Sequence, residues 1–199
     1  MPIEKFTTLI STCVPLYAEN VDTDQIIPAR FLRSVSRLGF GEKLFYDWRY
    51  DRQGNHRKDF VMNDYRFKGE VLVAGKNFGC GSSREHAAWA IIDYGFRVVV
   101  SSSFADIFRN NALNNGLLTI ELPERFLERL FNIIKSAPST EVKVDLPRQL
   151  FEVLGGGLVE EFEIPPYKKK CLLKGYDDID YLVSHSWLIE KWEKQNNKL

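Results

Sequence analysis

The sequence predicts an α/β fold: a β/β/α domain with a small parallel sheet flanked by helices and extra mixed strands. Two patterns carry that reading. Between residues 69 and 136, short apolar runs alternate with helical periodicity as strand–helix–strand–helix–strand, the order of a parallel core with right-handed crossovers. Then Glu141-Val-Lys-Val-Asp-Leu and Gln149-Leu-Phe-Glu-Val-Leu alternate apolar with polar residues, as the two strands of a hairpin do.

Taken in order, the first 68 residues open on a strand-like piece, Val14-Pro-Leu-Tyr, and the loop Asn20-Val-Asp-Thr-Asp-Gln-Ile-Ile-Pro-Ala-Arg. The polar, aromatic-rich stretch from Gly39 to Tyr65 carries turn signals at Gly41 and Arg52-Gln-Gly-Asn55, so this zone is expected to be irregular. Val71-Leu-Val-Ala-Gly reads as a buried strand. A helix over 83–94 is closed by Gly95, a residue suited to the left-handed position after a helix. Arg97-Val-Val-Val-Ser is the next strand, Phe104 to Asn115 a helix ended by Gly116, and Leu117-Leu-Thr-Ile-Glu-Leu a third strand. Pro123 opens an amphipathic helix through Lys135 with Phe126, Leu127, Leu130, Phe131, Ile133 and Ile134 on its apolar positions. After the hairpin, Gly155-Gly-Gly157 is a turn and Phe162-Glu-Ile-Pro-Pro a further extended piece. Residues 167–194 read as helical, broken at Gly175 and capped by Asp177 or Asp178.

The bulk numbers exclude several classes. With 27 basic and 27 acidic residues the net charge is zero, which argues against nucleic acid as a partner, since phosphate binding needs clustered positive charge. Lys168-Lys169-Lys170 is expected to be a solvated helix face. No run approaches the ~18 apolar residues of a membrane span, and the start lacks the design of a secretory signal. Cysteines at 13, 80 and 171 form no CxxC pair. They read as reduced thiols of a cytoplasmic protein, with no zinc or iron–sulfur cluster held by this chain alone.

The richest segment is Gly75-Lys-Asn-Phe-Gly-Cys-Gly-Ser-Ser-Arg-Glu-His-Ala-Ala-Trp-Ala. Glycines at 75, 79 and 81 let the backbone approach a ligand closely. The free N–H groups of the following helix make an anion site. Arg84 adds a planar cation suited to a carboxylate. The alternative is structural: Ser82-Ser83-Arg84-Glu85 fits a capping box with Ser82 as the cap. The pattern is neither a P-loop nor a dinucleotide fingerprint.

Gly79-Cys-Gly-Ser-Ser-Arg-Glu-His-Ala closely resembles the signature of the swivelling domain of the aconitase superfamily. Asn20-Val-Asp-Thr-Asp-Gln-Ile-Ile-Pro, Gly39-Phe-Gly…Leu44-Phe-Tyr-Asp-Trp, Asp93-Tyr-Gly-Phe-Arg-Val-Val, Ser103-Phe-Ala-Asp-Ile-Phe and Lys170-Cys-Leu-Leu-Lys-Gly-Tyr-Asp-Asp-Ile resemble, in order, the stand-alone small subunits of isopropylmalate dehydratases within it. The resemblance implies one swivelling domain over 1–199 and a hydro-lyase that moves a hydroxyl between neighbouring carbons of a small dicarboxylate, in leucine biosynthesis. It implies a large-subunit partner carrying a [4Fe–4S] cluster that polarises the leaving hydroxyl, with no cofactor on this chain.

By the family's motif Ser82 is the base, with Ser83 the replacement, and Ser83 and Arg84 hold substrate carboxylate. Asn77, Gly79 and Gly81 line the binding loop. Asp24 matches the loop acid that orients a histidine of the partner chain; the alternative is an Asp-Thr-Asp turn capped by its own side chains. Arg30 or Arg33 would read the part of the substrate that differs among relatives. Cys80 is expected to fill the loop and His86 to be packed structurally. His56 and His185 are expected as surface or core fillers, and Trp48, Trp89, Trp187 and Trp192 as core or interface. Small subunits of homoaconitase or of methylmalate (citraconate) hydratase remain open, as does a non-catalytic metabolite-binding module.

Overall fold

The computed structural model describes residues 3–32 and 39–196. Its centre is one seven-stranded mixed sheet in the order β4-β3-β2-β1-β5-β6-β7. The strands are β1 (Thr8–Leu16), β2 (Val71–Ala74), β3 (Val98–Ser101), β4 (Leu118–Glu121), β5 (Glu141–Asp145), β6 (Leu150–Val153) and β7 (Leu158–Glu161). β1 to β4 pair in parallel, while β1–β5, β5–β6 and β6–β7 pair antiparallel.

The mixed strands therefore extend the parallel sheet itself, and β1 is the joint. Its second half pairs with β2 (Cys13↔Val71 to Leu16↔Ala74) and its first half with β5 (Thr8↔Asp145 to Thr12↔Glu141). The sequence reading placed a strand only from Val14 and left the zone irregular. β1 starts six residues earlier than Val14, at Thr8. In its first half Leu9 and Ser11 are inward while Thr8 and Ile10 face solvent, whereas Cys13 to Leu16 are continuously buried. That change of pattern follows the pairing: one face of an antiparallel ribbon can be wet, while a parallel strand is covered on both. The small, polar Thr and Ser residues hid the alternation.

Helices fill both faces. On one, α5 (Glu124–Ser136) buries Phe126, Leu127, Leu130 and Ile134 against the sheet, and α6 (Pro166–Lys174) adds Leu172. On the other, α3 (Glu85–Tyr94) and α4 (Asp106–Asn114) cover Leu72, Ala74 and Val99 together with the short helices α1 (Thr23–Ile26) and α2 (Tyr46–Arg49). Each such fully buried large apolar side chain contributes about 1.5–3 kcal/mol. Gly95 and Gly175 take left-handed positions after α3 and α6, as read from sequence.

Three further expectations are corrected. α3 begins at Glu85 with Arg84 as its extended N-cap residue, so Ser82 caps nothing and the 83–94 helix is two residues shorter. A last strand not expected from sequence runs over Leu158–Glu161, ahead of the extended piece at Phe162, and of that piece Pro165 and Pro166 instead open α6. Of the lysines at 168–170, expected as a solvated face, only Lys170 is exposed, while Lys168 and Lys169 are half-buried. Lys168 pairs with Asp178, Lys169 donates to the Pro147 carbonyl (2.8 Å), and Lys170 lies 2.9 Å from His185.

The tail continues as α7 (Asp178–Val183), capped by Asp177, and α8 (Ser186–Asn196). Trp187 and Trp192 are 59% and 65% exposed, so these two lie outside the core, whereas Trp48 and Trp89 pack against Phe45 and Phe40. No helix among the described residues is long and apolar enough to cross a membrane.

Candidate active site

Residues 75–84 leave the end of β2 and turn back over α4 before entering α3. Gly79 (φ 77°) and Gly81 (φ 94°) need glycine twice over. Both have left-handed backbones, and a Cβ would overlap the Phe108 ring at Gly79 and the Asp22 carboxylate at Gly81. The loop is laid against residues 20–27. The amides of Gly79 and Cys80 donate to the Val21 carbonyl (2.8 and 3.1 Å), and the Thr23 amide donates to Cys80 (2.8 Å). Asn77 ties the same two segments through its side chain, which donates to Asn20 Oδ1 at 2.8 Å.

The Asp22-Thr-Asp24 run divides its labour. Asp22 caps α1 by accepting from the Asp24 amide (2.6 Å), while Gln25 accepts from the Asp22 amide (2.8 Å). The self-capped turn is thus present, but only Asp22 makes it. Asp24 is free to reach Arg84, sixty positions away, and the two form an ion pair held through both terminal guanidinium nitrogens. The Ala29 amide (3.2 Å) also donates to Asp24. Arg84 beside it holds the Asp24 carboxyl below the usual carboxylate range, and Asp24 in turn raises Arg84.

A lowered folded-state value means the pair is intact above the ordinary aspartate range and is lost as pH falls through the lowered value. Asp24 should therefore stay ionised at a pH of about 4, where a free aspartate is half protonated. A carboxyl-carbon NMR titration checks this, and a midpoint at or above the free value would refute the pairing.

Between these anchors stand Ser82 and Ser83, both exposed, with no hydrogen bond to either hydroxyl among the described residues. Ser82 is positioned through its backbone. The Thr23 hydroxyl, on a residue 2% exposed, donates to the Ser82 carbonyl at 2.9 Å. Thr23 escaped the sequence reading, which weighed its two acidic neighbours. The one available signal was its place between a capping acid and a pairing acid.

Other expected residues fall out as follows. Cys80 is half-buried, and burial followed by the charge of Asp22 pushes its thiol up, so it stays protonated and fits a filler. His86 packs on Phe40 and Trp89 (ring centroids 5.3 and 4.5 Å). Arg30 turns away to pair with Asp47 on α2, stacked over Phe31 and Tyr46. His56 contacts Asn63 (3.1 Å). Arg33 lies outside the described residues. The three cysteines sit on β1, in the glycine loop and on α6, and no group of three or more His, Cys, Asp or Glu side chains among the described residues is arranged to hold a metal ion.

The chemistry this assembly offers is anion recognition beside unengaged hydroxyls. It combines a cation that gives two of its five N–H groups to Asp24 and keeps three, Nε–H among them, with two exposed serines and the positive end of α3.

Residues 3–125 match the aconitase C-terminal domain family. The chain is 56% identical over 197 residues to the 3-isopropylmalate dehydratase small subunit of Cytophaga hutchinsonii, covering 99% of this chain and 98% of that protein. It is 55% identical over 193 residues to the protein of the same name from Christiangramia forsetii, covering 97% and 94%. Among solved structures, the 3-isopropylmalate dehydratase of Methanocaldococcus jannaschii superposes with a TM-score of 0.66 at 27% identity, over 92% of this chain and 98% of that one.

Proposed function

The chain belongs to the aconitase C-terminal domain family, among the small subunits of 3-isopropylmalate dehydratase, and on that premise we propose that it is half of a hydro-lyase. The enzyme interconverts 2-isopropylmalate and 3-isopropylmalate by removing water and adding it back with the hydroxyl on the neighbouring carbon. The observation that carries this reading is the joining of the Gly79–Arg84 loop to the Asp22–Asp24 loop, which sets two free serine hydroxyls beside a carboxylate-binding arginine.

In this reading Ser82 takes the proton from the substrate carbon. A serine is a weak acid, so its oxygen must be stabilised when it carries charge, and the positive end of α3 and Arg84 are suited to this. Arg84 also holds a substrate carboxylate, aided by Ser83 and by the loop backbone at Asn77, Gly79 and Gly81. Asp24 fixes the Arg84 fork and keeps the guanidinium charged. Of Arg30 and Arg33, which follow the Asp24 turn, Arg30 is engaged by Asp47, so Arg33 is assigned to the variable side of the substrate.

A small subunit implies a larger partner. The described residues of this chain do not fit an iron–sulfur cluster, because the cysteines are dispersed, so the cluster acting on the leaving hydroxyl is assigned to that partner. A cytoplasmic setting goes with unpaired Cys13, Cys80 and Cys171.

The test is co-expression with the large subunit and assay on 2-isopropylmalate and on 2-methylmalate. Turnover of the first supports the reading; turnover of the second alone overturns it. Thr23→Val in the same complex should lower kcat about 10–100-fold, because a loop displaced by an ångström costs that order of rate. KM should move little and Thr23→Ser should restore activity. An unchanged kcat would remove Thr23 from the positioning of Ser82.

A further inference from the structure

The proposed reaction leaves the Gly39–Tyr65 segment largely unused, and that segment surrounds a cation with no counter-ion among the described residues. Arg49, at the end of α2, is only 7% exposed. Its Nη1 donates to the carbonyls of Gly41 (3.2 Å), Glu42 (3.3 Å) and Leu44 (3.3 Å). Its guanidinium lies over the rings of Tyr94 (4.8 Å) and Tyr50 (5.1 Å). No carboxylate among the described residues pairs with it, its Nε is buried without a partner, and no hydrogen bond reaches Nη2.

A buried charge is costly unless it is paired. Three carbonyls and two ring faces offset part of that cost for Arg49, but only on one side of the fork. The other side, Nε with Nη2, is the edge whose two parallel N–H bonds match a carboxylate.

Arg49 forms part of the wall of a cavity of about 590 Å³, within the size range of small-molecule sites. Lys68, His56, Asn63 and Tyr65 stand on its polar side, and Val14, Met62 and Phe67 supply apolar surface. One acid, Asp64, is also on the wall. It is engaged by Arg66 through bonds of 2.6–3.1 Å, which leaves Arg49 and Lys68 without a neutralising acid there. None of the residues of the two loops described above lines this cavity.

We propose that this cavity is a second ligand site, taking a small organic carboxylate whose anionic end meets Arg49 and Lys68 and whose short hydrocarbon arm rests on Val14, Met62 and Phe67. The half-apolar wall selects an organic acid over an inorganic anion. The assignment stands independently of the proposed reaction.

The test uses the full chain with 4-methylpentanoate, its uncharged amide and inorganic phosphate as probes, read by calorimetric titration. The carboxylate should bind, and the amide and phosphate should bind at least about tenfold more weakly, equivalent to 1.4 kcal/mol. Lys68→Glu, at an exposed position, should weaken the carboxylate about tenfold without lowering the melting temperature. Arg49→Lys, if it folds, should weaken it further, since an ammonium lacks the planar edge. Arg84→Ala must leave binding intact. Equal binding of acid and amide, loss of binding in Arg84→Ala, or full retention in Lys68→Glu would each overturn the site. Tighter binding of phosphate than of the organic acid would overturn the ligand class.

Discussion

Replacing Ser82 with alanine, in the small subunit assembled with its large partner, is expected to reduce kcat by about 10²–10⁴-fold, the range for removing a positioned acid–base group. The fold should not notice. Ser82 is exposed, its hydroxyl holds no hydrogen bond among the described residues, and it caps no helix. Exposed substitutions away from such roles stay within about ±0.5 kcal/mol. The melting temperature and the co-elution of the two subunits are therefore the controls that must not move. Ser83→Ala is the comparison: as a carboxylate ligand, Ser83 should affect KM more than kcat. If Ser83→Ala abolishes turnover and Ser82→Ala does not, the roles are exchanged. If neither changes turnover, proton transfer by a serine of this loop is wrong.

The second large effect is expected at Gly79→Ala. An L-residue at φ 77° costs about 1–2 kcal/mol. The added methyl also meets the Phe108 ring, which cannot yield: it is 2% exposed and packed between Phe78 (5.2 Å) and Phe104 (6.2 Å). The loop must move instead, breaking the 2.8 Å bond from Gly79 to the Val21 carbonyl. A total loss of about 2–4 kcal/mol of stability follows from strain and overpacking. It corresponds to a fall of roughly 5–15 °C in melting temperature for a chain of this size. Turnover should fall about 10²-fold through misplacement of Ser82. Gly95→Ala is the control, since Gly95 has φ 114° but nothing within 4 Å of the added atom. Thermal unfolding and kinetics of the two variants separate loop placement from backbone strain. Equal behaviour of the two would contradict the packing argument.

The parallel half of the sheet was legible because β2 and β3 are buried along their whole length and appear as runs rich in Val and Leu, with β4 as Leu-Thr-Ile ahead of a partly exposed Glu121. α5 was legible through its one apolar face, and the helix ends through Gly95, Gly116 and Pro123. β7 was missed because Leu158-Val-Glu-Glu, beside a run of glycines, carries too little alternation to be told from a turn. In the site, glycines and an arginine before a helix announced an anion loop, and the ordered motifs pointed to the family. The pairing of Arg84 with Asp24 was not legible, because a separation of sixty positions carries no periodicity that reports a tertiary contact. Lys168 and Lys169 read as solvated because their partners, Asp178 and the Pro147 carbonyl, meet them only in the folded chain.

The double duty of β1 bears on how the polypeptide can be made and cut. Its first half finds its neighbour in β5 only when residues 141–145 are available, some 130 positions downstream, and such distant pairings close slowly. A nascent chain that has so far emerged only through β4 would present Leu9 and Ser11 backbone groups along an open border, inviting pairing with other chains. The family match ends at residue 125, in α5 and before β5. Trimming to that boundary would therefore divide a sheet rather than release a self-contained unit, and expression designed on it should yield aggregates instead of a folded fragment.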